Sequence, residues 1–301
     1  MKESLNYDSP TALRSFLEGR GLGMRKRLGQ NFLIHPGFRT RLIAALELSP
    51  GDGVWEVGSG LGAMTRELLA AGALVKGFEI DPGFTAYLGE AFGDHPNFSL
   101  VPGDVLKTWK AEAPAPYLLG NLPYNIAAVL LGDLIEGNRL FTRLVVTVQR
   151  EVGLRMLARP GQADYSSFSV LVGGLYTVKP LMTMGSGAFY PPPRIQSLGL
   201  RLDLREGLVP AGPPLLYPLV RRLFSSRRKT VKNSLCAFVA SCGMVKGAAP
   251  KDLALAALEG CGIRPEERPE NLDVSQFRDL ARQLHGLGIC RAGNGPPEAG
   301  G

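Results

Sequence analysis

The sequence predicts an α/β fold followed by a small helical domain. From about 54 to 204, short apolar runs with the length of buried strands alternate with segments of helical periodicity, the pattern of an open α/β sheet. A linker rich in Gly and Pro follows at 207–214, and the chain beyond it is helical by pattern. A chain of 301 residues has room for one large and one small domain. We therefore predict domains at 1–206 and 215–287, with a disordered tail at 291–301.

The first domain accounts for all the predicted strands. They are expected at 54–57, 74–81, 98–102, 117–120, 144–149, 177–182 and 197–204. Helices are expected from Pro10 to about Glu18, from about Pro36 to Glu47, from Leu61 to Ala71 and from Ile126 to about Glu136. Ser9 before Pro10 has the residue types of a helix N-cap followed by proline in the first turn.

Composition and charge narrow the class of protein. Hydrophobic residues make up 45% and charged residues 20%, as in an ordinary globular protein. A net charge of +7 permits a polyanionic partner. The four cysteines and three histidines lack metal-ligand spacing, which predicts reduced thiols and no metal. No signal peptide or membrane-spanning run is evident, so we expect a cytoplasmic location away from membranes.

Four successive strands end in residues that suit a nucleoside cofactor. The strand at 54–57 runs into Gly58, Gly60 and Gly62, whose spacing is neither the dinucleotide fingerprint nor a P-loop. Glu79 ends the next strand, where an acid can accept hydrogen bonds from both hydroxyls of a ribose. Asp81, followed by Pro82, fits a helix cap instead. Asp104 follows the third strand, within reach of an adenine amine, and Asn121 follows the fourth.

The stretch Asn121-Leu122-Pro123-Tyr124 has the residue types for holding a flat, weakly nucleophilic amine. Asn121 offers a side-chain carbonyl and an amide, and Pro123 stiffens the turn without adding a backbone donor. Tyr124 offers an aromatic face for a base. An ordinary strand-to-helix turn would use the same Asn and Pro, so the stretch alone leaves both interpretations open.

Two basic segments permit contact with phosphates. Arg25, Lys26 and Arg27 lead into Gly29-Gln30-Asn31-Phe32-Leu33, which predicts either a solvated segment or an arm that folds over a cofactor. The segment 221–232 in the helical domain carries six bases and no acid. We favour RNA contact there over a merely solvated face because the whole chain is basic. The predicted RNA-binding residues are Arg25, Lys26, Arg27, Arg221, Arg222, Arg227, Arg228, Lys229 and Lys232.

Taken together, these motifs resemble those of the ribosomal RNA adenine dimethyltransferase family. The resemblance rests on 29–33, 56–62, 79–81, 103–104 and 121–125 and extends from about 25 to 284. It implies a Rossmann-like methyltransferase domain that uses S-adenosylmethionine. The residues expected to bind this cofactor are Gln30, Asn31, Leu33, Gly58, Gly60, Glu79, Asp104 and Asn121.

The resemblance also implies a reaction and a substrate. The reaction is N6,N6-dimethylation of two neighbouring adenines in a hairpin loop near the 3′ end of small-subunit ribosomal RNA. The substrate is expected to be an immature small ribosomal subunit, and the enzyme a monomer. Phe189 is expected to stack on the target adenine opposite Tyr124; as a core aromatic, it would need no such role. The residues expected to take part in catalysis are Asn121, Leu122, Pro123, Tyr124 and Phe189.

Some positions depart from the family pattern, and two alternatives stay open. Gln196 stands where an acid is usual, Gly199 replaces an aliphatic residue, and Ala127 and Ala128 replace hydroxyl residues. An enzyme acting on another adenine is one alternative, either in large-subunit RNA, as the erythromycin-resistance methylases do, or in DNA. The DNA enzymes usually carry a second proline where Leu122 stands. An RNA-binding assembly factor whose occupancy of the immature subunit outweighs its catalysis is the other.

Overall fold

The computed structural model describes residues 5–25, 28–123, 126–207, 215–226, 228–242 and 249–289. It divides the chain into two compact units, Met1–Leu154 with Tyr176–Arg205 and Arg155–Leu175 with Glu206–Gly301. The second unit thus takes in Arg155–Leu175, a segment that the sequence patterns placed within 1–206. Most of the predicted linker, 208–214, and the predicted tail lie outside the described residues.

A seven-stranded sheet forms the centre of the first unit, and its strands correspond to the seven predicted from the sequence. Its strands are β2 (Gly53–Val57), β3 (Leu74–Glu79), β4 (Phe98–Pro102), β5 (Tyr117–Asn121), β6 (Arg143–Gln149), β7 (Tyr176–Met184) and β9 (Ser197–Leu204). They lie in the order β4-β3-β2-β5-β6-β9-β7. The first five are parallel to one another, and β9 is antiparallel to both β6 and β7. A separate ribbon joins β1 (Phe32–Leu33) to β8 (Phe189–Tyr190).

Helices connect the parallel strands, which confirms the predicted α/β class. The helices of this part of the chain are α1 (Pro10–Gly19), α2 (Pro36–Ala44), α3 (Ala63–Ala70), α4 (Pro82–Phe92), α5 (Val105–Thr108), α6 (Ala127–Glu136) and α7 (Arg150–Leu157). Local sequence sets several of their starts. Ser9 accepts a hydrogen bond from the Ala12 N–H, and Asp81 accepts from the N–H groups of Gly83 and Phe84.

The strand order brings the predicted functional strand ends to one edge of the sheet. From β2 the chain moves outward to β3 and β4, then returns to form β5 on the other side of β2. This reversal is a topological switch point, the place where open α/β sheets bind ligands. Along the carboxyl edge, the order of the strand ends is Asp104, Glu79, Gly58 and Asn121.

The second unit is helical, as the pattern after the linker predicted. Its helices are α8 (Ser167–Gly173), α9 (Leu216–Phe224), α10 (Val231–Ser241), α11 (Pro250–Gly260) and α12 (Val274–Gly286). One apolar core, which includes the fully buried Leu219, Leu235 and Phe277, joins these helices. The buried hydroxyl of Tyr165 donates a hydrogen bond to the Leu272 carbonyl, tying the segment before α8 to the segment before α12. None of the helices in the described ranges combines the length and apolar character needed to cross a bilayer.

Candidate cofactor and catalytic site

A cavity of about 250 Å³ opens at the carboxyl edge of the sheet in the first unit. It is walled by the segment 28–33, the glycine loop, and the ends of β3, β4 and β5. Every residue predicted to bind the cofactor lines it: Gln30, Asn31, Leu33, Gly58, Gly60, Glu79, Asp104 and Asn121. Tyr7, Leu13, Ile80 and Val105 also line the cavity, although no sequence pattern predicted this.

The glycine loop needs its glycines both for backbone conformation and for space. Gly60 and Gly62 have φ values of 57° and 83°, a region that side chains rarely adopt. A Cβ on Gly62 would lie 2.4 Å from the Phe92 ring, and one on Gly60 would lie 3.1 Å from the Phe32 ring. The loop therefore presents bare backbone to the cavity, and a ligand can approach it closely.

Glu79 is a buried carboxylate with acceptor capacity to spare. Its Oε2 accepts a 2.8 Å hydrogen bond from the Gly60 N–H, and its Oε1 accepts one of 2.8 Å from the Asp81 N–H. Burial raises the pKa of Glu79, and these backbone donors act in the opposite direction. Because two carboxylate oxygens together accept about four hydrogen bonds, two more donors, such as the hydroxyls of a ribose, can be accommodated.

Two neighbouring acids cap helices, a task that the sequence context suggested for Asp81 only. Asp81 caps α4, and its other oxygen lies 3.3 Å from Arg25 Nε. Asp104 lines the cavity but also caps α5, accepting a 3.0 Å hydrogen bond from the Leu106 N–H. The second oxygen of Asp104 is therefore the one free of the capping bond. Gln30 lies near Asp81, with its Nε2 3.4 Å from Asp81 Oδ2.

The amide of Asn121 is held in one orientation. Its Nδ2 donates a 2.7 Å hydrogen bond to the backbone carbonyl of Asn31. A carbonyl can only accept, so the amide nitrogen must face Asn31, and Oδ1 is left as an acceptor at the cavity. The Leu122 N–H donates to the Thr147 carbonyl at 3.0 Å, while no donor among the described residues reaches the Leu122 carbonyl. Pro123 lines the cavity beside Asn121.

The predicted aromatic pair is placed only in part. Tyr124 lies outside the described residues. Phe189 is 3% exposed, pairs in register with Leu33 and packs into the core cluster of the first unit. It does not line the cavity, so its role as a stacking face stays a prediction. Leu122 is also buried, at 1% exposure, and can offer only its backbone.

The basic residues differ in how far they are engaged. Arg25 is half-exposed and paired with Asp81, whereas Lys26, Arg27 and Arg227 lie outside the described residues. In the second unit, Arg221 and Arg222 are exposed on α9, Arg228 and Lys229 are exposed before α10, and Lys232 is half-buried on α10. Arg222, Arg228, Lys229 and Lys232 form no ion pair with an acid among the described residues.

Glu56 is a fully buried acid below the glycine loop, and its sequence pattern did not predict this burial. Its Oε2 accepts hydrogen bonds from Thr65 at 2.5 Å and Ser59 at 3.0 Å, which links the glycine loop to α3. Its Oε1 is buried and has no partner among the described residues. Burial raises the pKa of Glu56 to about 7, with the charge of Glu79 adding to the effect. The described residues contain no group of three or more potential metal ligands.

Fold and site together define a class of enzyme. A switch-point cavity lined by a glycine loop, the buried Glu79 and Asp104 suits an adenosine-containing cofactor. The fixed acceptor on Asn121 lies at the same cavity. The first unit is thus a Rossmann-like domain that can hold an adenosine cofactor beside a group able to orient an amine.

Comparisons with known proteins agree with this class. A family model described as ribosomal RNA adenine dimethylase matches residues 21–242. The chain is 41% identical over 290 residues to ribosomal RNA small subunit methyltransferase A of Treponema pallidum (strain Nichols), covering 94% of this chain and 98% of the relative. It is 36% identical to the protein of that name from Moorella thermoacetica, covering 92% and 98%.

Two solved structures are similar over most of the chain. A dimethyladenosine transferase from Plasmodium falciparum has a TM-score of 0.75 at 26% identity, covering 85% of this chain and 98% of that one. The 23S rRNA methyltransferase ErmE has a TM-score of 0.59 at 25% identity, covering 84% and 99%. The chain therefore belongs to the ribosomal RNA adenine dimethylase family.

Proposed function

We propose that this protein transfers methyl groups from S-adenosylmethionine to N6 of two adjacent adenines in small-subunit ribosomal RNA, producing N6,N6-dimethyladenine. The target is a hairpin loop near the 3′ end of that RNA. Family membership and relatives named ribosomal RNA small subunit methyltransferase A support the reaction and the RNA class. The structural observation that carries the proposal is the Asn121 amide, which its bond to Asn31 orients at the cavity that Glu79 also lines.

The residues of the cavity fit S-adenosylmethionine. Glu79 has acceptor capacity for the two ribose hydroxyls, and the glycine loop lets the ligand lie against bare backbone. Asp104 and Ile80 lie beside the end of the cavity where an adenine would follow the ribose. Asn121 then faces the opposite end. When bound, the cofactor supplies a methyl group carried on a positive sulfonium.

The chain's own contribution is alignment and charge stabilisation. The lone pair of an adenine amine is delocalised into the ring, so the amine is a poor nucleophile. The Asn121 Oδ1 and the Leu122 carbonyl can accept its two hydrogens and turn the lone pair toward the methyl group. These acceptors also stabilise the positive charge that grows on N6 during transfer. No strong base is needed, which agrees with a site built from amides and carbonyls.

The base is proposed to lie between Tyr124 and Phe189, whose aromatic faces favour a developing cation. Because Phe189 is 3% exposed, its ring must become accessible before a base can stack on it. A target adenine must also leave its own stack, which is easiest in a loop.

The substrate is proposed to be an immature small subunit, bound by the enzyme as a monomer in the cytoplasm. The exposed Arg228 and Lys229 before α10 suit phosphate contacts, which position a protein without specifying sequence. The chain carries no signature of a base-reading module, so RNA shape in a folded particle must select the adenines.

The test is transfer of labelled methyl to four substrates: an immature small subunit, naked small-subunit RNA, large-subunit RNA and duplex DNA. We expect robust dimethylation of the first and little labelling of the others, as measured by nucleoside analysis. Similarity to ErmE favours large-subunit RNA as the second candidate substrate. Label found only there, or only monomethyladenine at saturating cofactor, would overturn the proposal.

A further inference from the structure

The amino-terminal segment forms part of the cofactor cavity, although the match to the family model begins only at residue 21. Tyr7 and Leu13 line the cavity together with the glycine loop. Resting on the proposed function, we propose that Tyr7 contacts the amino-acid part of S-adenosylmethionine. The Asp8–Arg39 ion pair holds Tyr7 in place, and Arg39 is thus a positioning residue.

The position of Tyr7 along the cavity identifies the part of the cofactor that it faces. The Arg66 guanidinium lies 4.6 Å from the centre of the Tyr7 ring, and Arg66 belongs to α3, which follows β2. The ribose is assigned to Glu79 at the end of β3 and the adenine to Asp104 after β4. Tyr7 also shares an apolar cluster with Phe84 and Tyr87 of α4. Because α3 follows the glycine loop at the end of β2, and β2 lies between β3 and β5, we assign the amino-acid part to the side of the cavity near α3.

The side chain of Arg39 fastens this segment to the rest of the site. It is 1% exposed and donates from Nε to Glu67 at 2.9 Å, from Nη1 to the Leu33 carbonyl at 2.9 Å, and from Nη2 to Asp8. One buried guanidinium therefore joins the residue after Tyr7 to β1 and α3. Replacing Asp8, the exposed partner of this ion pair, releases the segment and leaves the buried Arg39 side chain in place.

Helix α1 adds a second attachment. Its Leu13 and Leu17 are buried in one cluster with Phe84 and with Leu61 of the glycine loop. Tyr7 itself is 5% exposed, and burial raises the pKa of its hydroxyl, so the side chain remains neutral. A neutral aromatic ring in this position can pack against the methylene groups of an amino-acid chain.

The experiment compares two ligands by calorimetric titration, S-adenosylmethionine and 5′-methylthioadenosine, which lacks the amino-acid part. We expect Tyr7→Ala to raise the Kd for S-adenosylmethionine about tenfold, the scale of losing a buried aromatic contact, and to leave that for methylthioadenosine within twofold. Tyr7→Phe, which keeps the aromatic ring, should retain most of the wild-type affinity for S-adenosylmethionine. Asp8→Ala should show the same selectivity, with about a threefold to tenfold effect.

Two controls separate this proposal from general loosening. Glu18→Ala breaks an exposed ion pair with Arg14 on the same helix and should change neither affinity. Glu79→Ala should weaken both ligands, because both carry the ribose. Equal weakening of both ligands by Tyr7→Ala and Asp8→Ala, or no weakening, would overturn the proposal. If Tyr7→Ala does not fold, Asp8→Ala alone decides it. If the wild-type protein binds neither ligand, the proposed function itself fails.

Discussion

The Asn121 side chain donates a 2.7 Å hydrogen bond to the backbone carbonyl of Asn31, ninety residues earlier in the chain. This bond joins the segment before β1 to the end of β5, and both residues line the cavity. This direction commits the amide nitrogen to the protein and leaves the amide oxygen as an acceptor, which we propose receives a hydrogen bond from the substrate amine.

Replacing Asn121 should affect catalysis far more than binding. Asn121→Ala should lower methyl transfer at least about a hundredfold, the scale for losing a preorganised polar group at a reacting centre. Asn121→Asp keeps an acceptor but loses the donor to Asn31, and it should also be strongly impaired. Single-turnover rates measure the loss, while RNA affinity should stay within a few-fold. Near wild-type turnover by Asn121→Ala would show that the amide does not orient the amine.

The affinity for S-adenosylmethionine should depend on the ionisation of Glu79. As pH falls through its raised pKa, Glu79 gains a proton and loses acceptor capacity, so the cofactor should bind more weakly at low pH. Glu79→Ala should lower affinity at least tenfold, since charge-assisted bonds contribute roughly 1.5–3 kcal/mol each. Calorimetry across pH measures both effects. Asp94→Ala, which removes an exposed carboxylate, is the matched control and should leave the affinity unchanged. An unchanged affinity for Glu79→Ala would contradict the assignment of Glu79 to the ribose.

Glu56 should make the protein less stable as pH rises. Its pKa in the folded state is raised to about 7, so the protonated form favours folding. This contribution is fully present below the pKa of the unfolded chain and is lost as pH rises through about 7. The change amounts to roughly 3 kcal/mol at most. Glu56→Gln, which imitates the protonated side chain, should flatten the dependence. Urea unfolding without cofactor at pH 5 and 8 measures the free energy of unfolding at each pH. The same change between the two pH values in wild type and Glu56→Gln would refute the burial argument.

The basic residues at the start of α10 should contact phosphates. Changing Arg228, Lys229 and Lys232 to Gln should lower the slope of log affinity against log salt by about two to three. Changing Lys107, Lys110 and Lys251 to Gln removes the same charge from other exposed positions and should leave the slope nearly unaltered. Filter binding to the small-subunit RNA at several salt concentrations gives both slopes. Equal slopes for the two triple variants would mean that the block is only a solvated face.

The sequence was informative wherever local pattern determines structure. Strand periodicity predicted the sheet, and the Asp81-Pro82 pair identified the helix cap, which left Glu79 for a ligand. In the segment 25–33, spacing alone left two interpretations open, and the structure places Asn31 and Leu33 at the cavity.

The features that sequence did not reveal depend on contacts between distant segments. Nothing in the spacing indicates that Asn121 bonds Asn31, that Arg39 holds Asp8, or that Glu56 is enclosed without a partner for one oxygen. The apolar face of α1 was predictable, but its packing on the glycine loop was not. The sequence around Phe189 is equally consistent with packing and with substrate contact, and the structure places this residue in the core.

The most direct test of the central claim is mass spectrometry of small-subunit ribosomal RNA from three cell lines. One lacks the protein, one carries the wild type, and one carries Asn121→Ala. We predict N6,N6-dimethyladenine at two adjacent positions of the hairpin near the 3′ end only in the wild-type line. Dimethylation that persists without the protein, or that returns with Asn121→Ala, would contradict the assignment of this reaction to the Asn121 site.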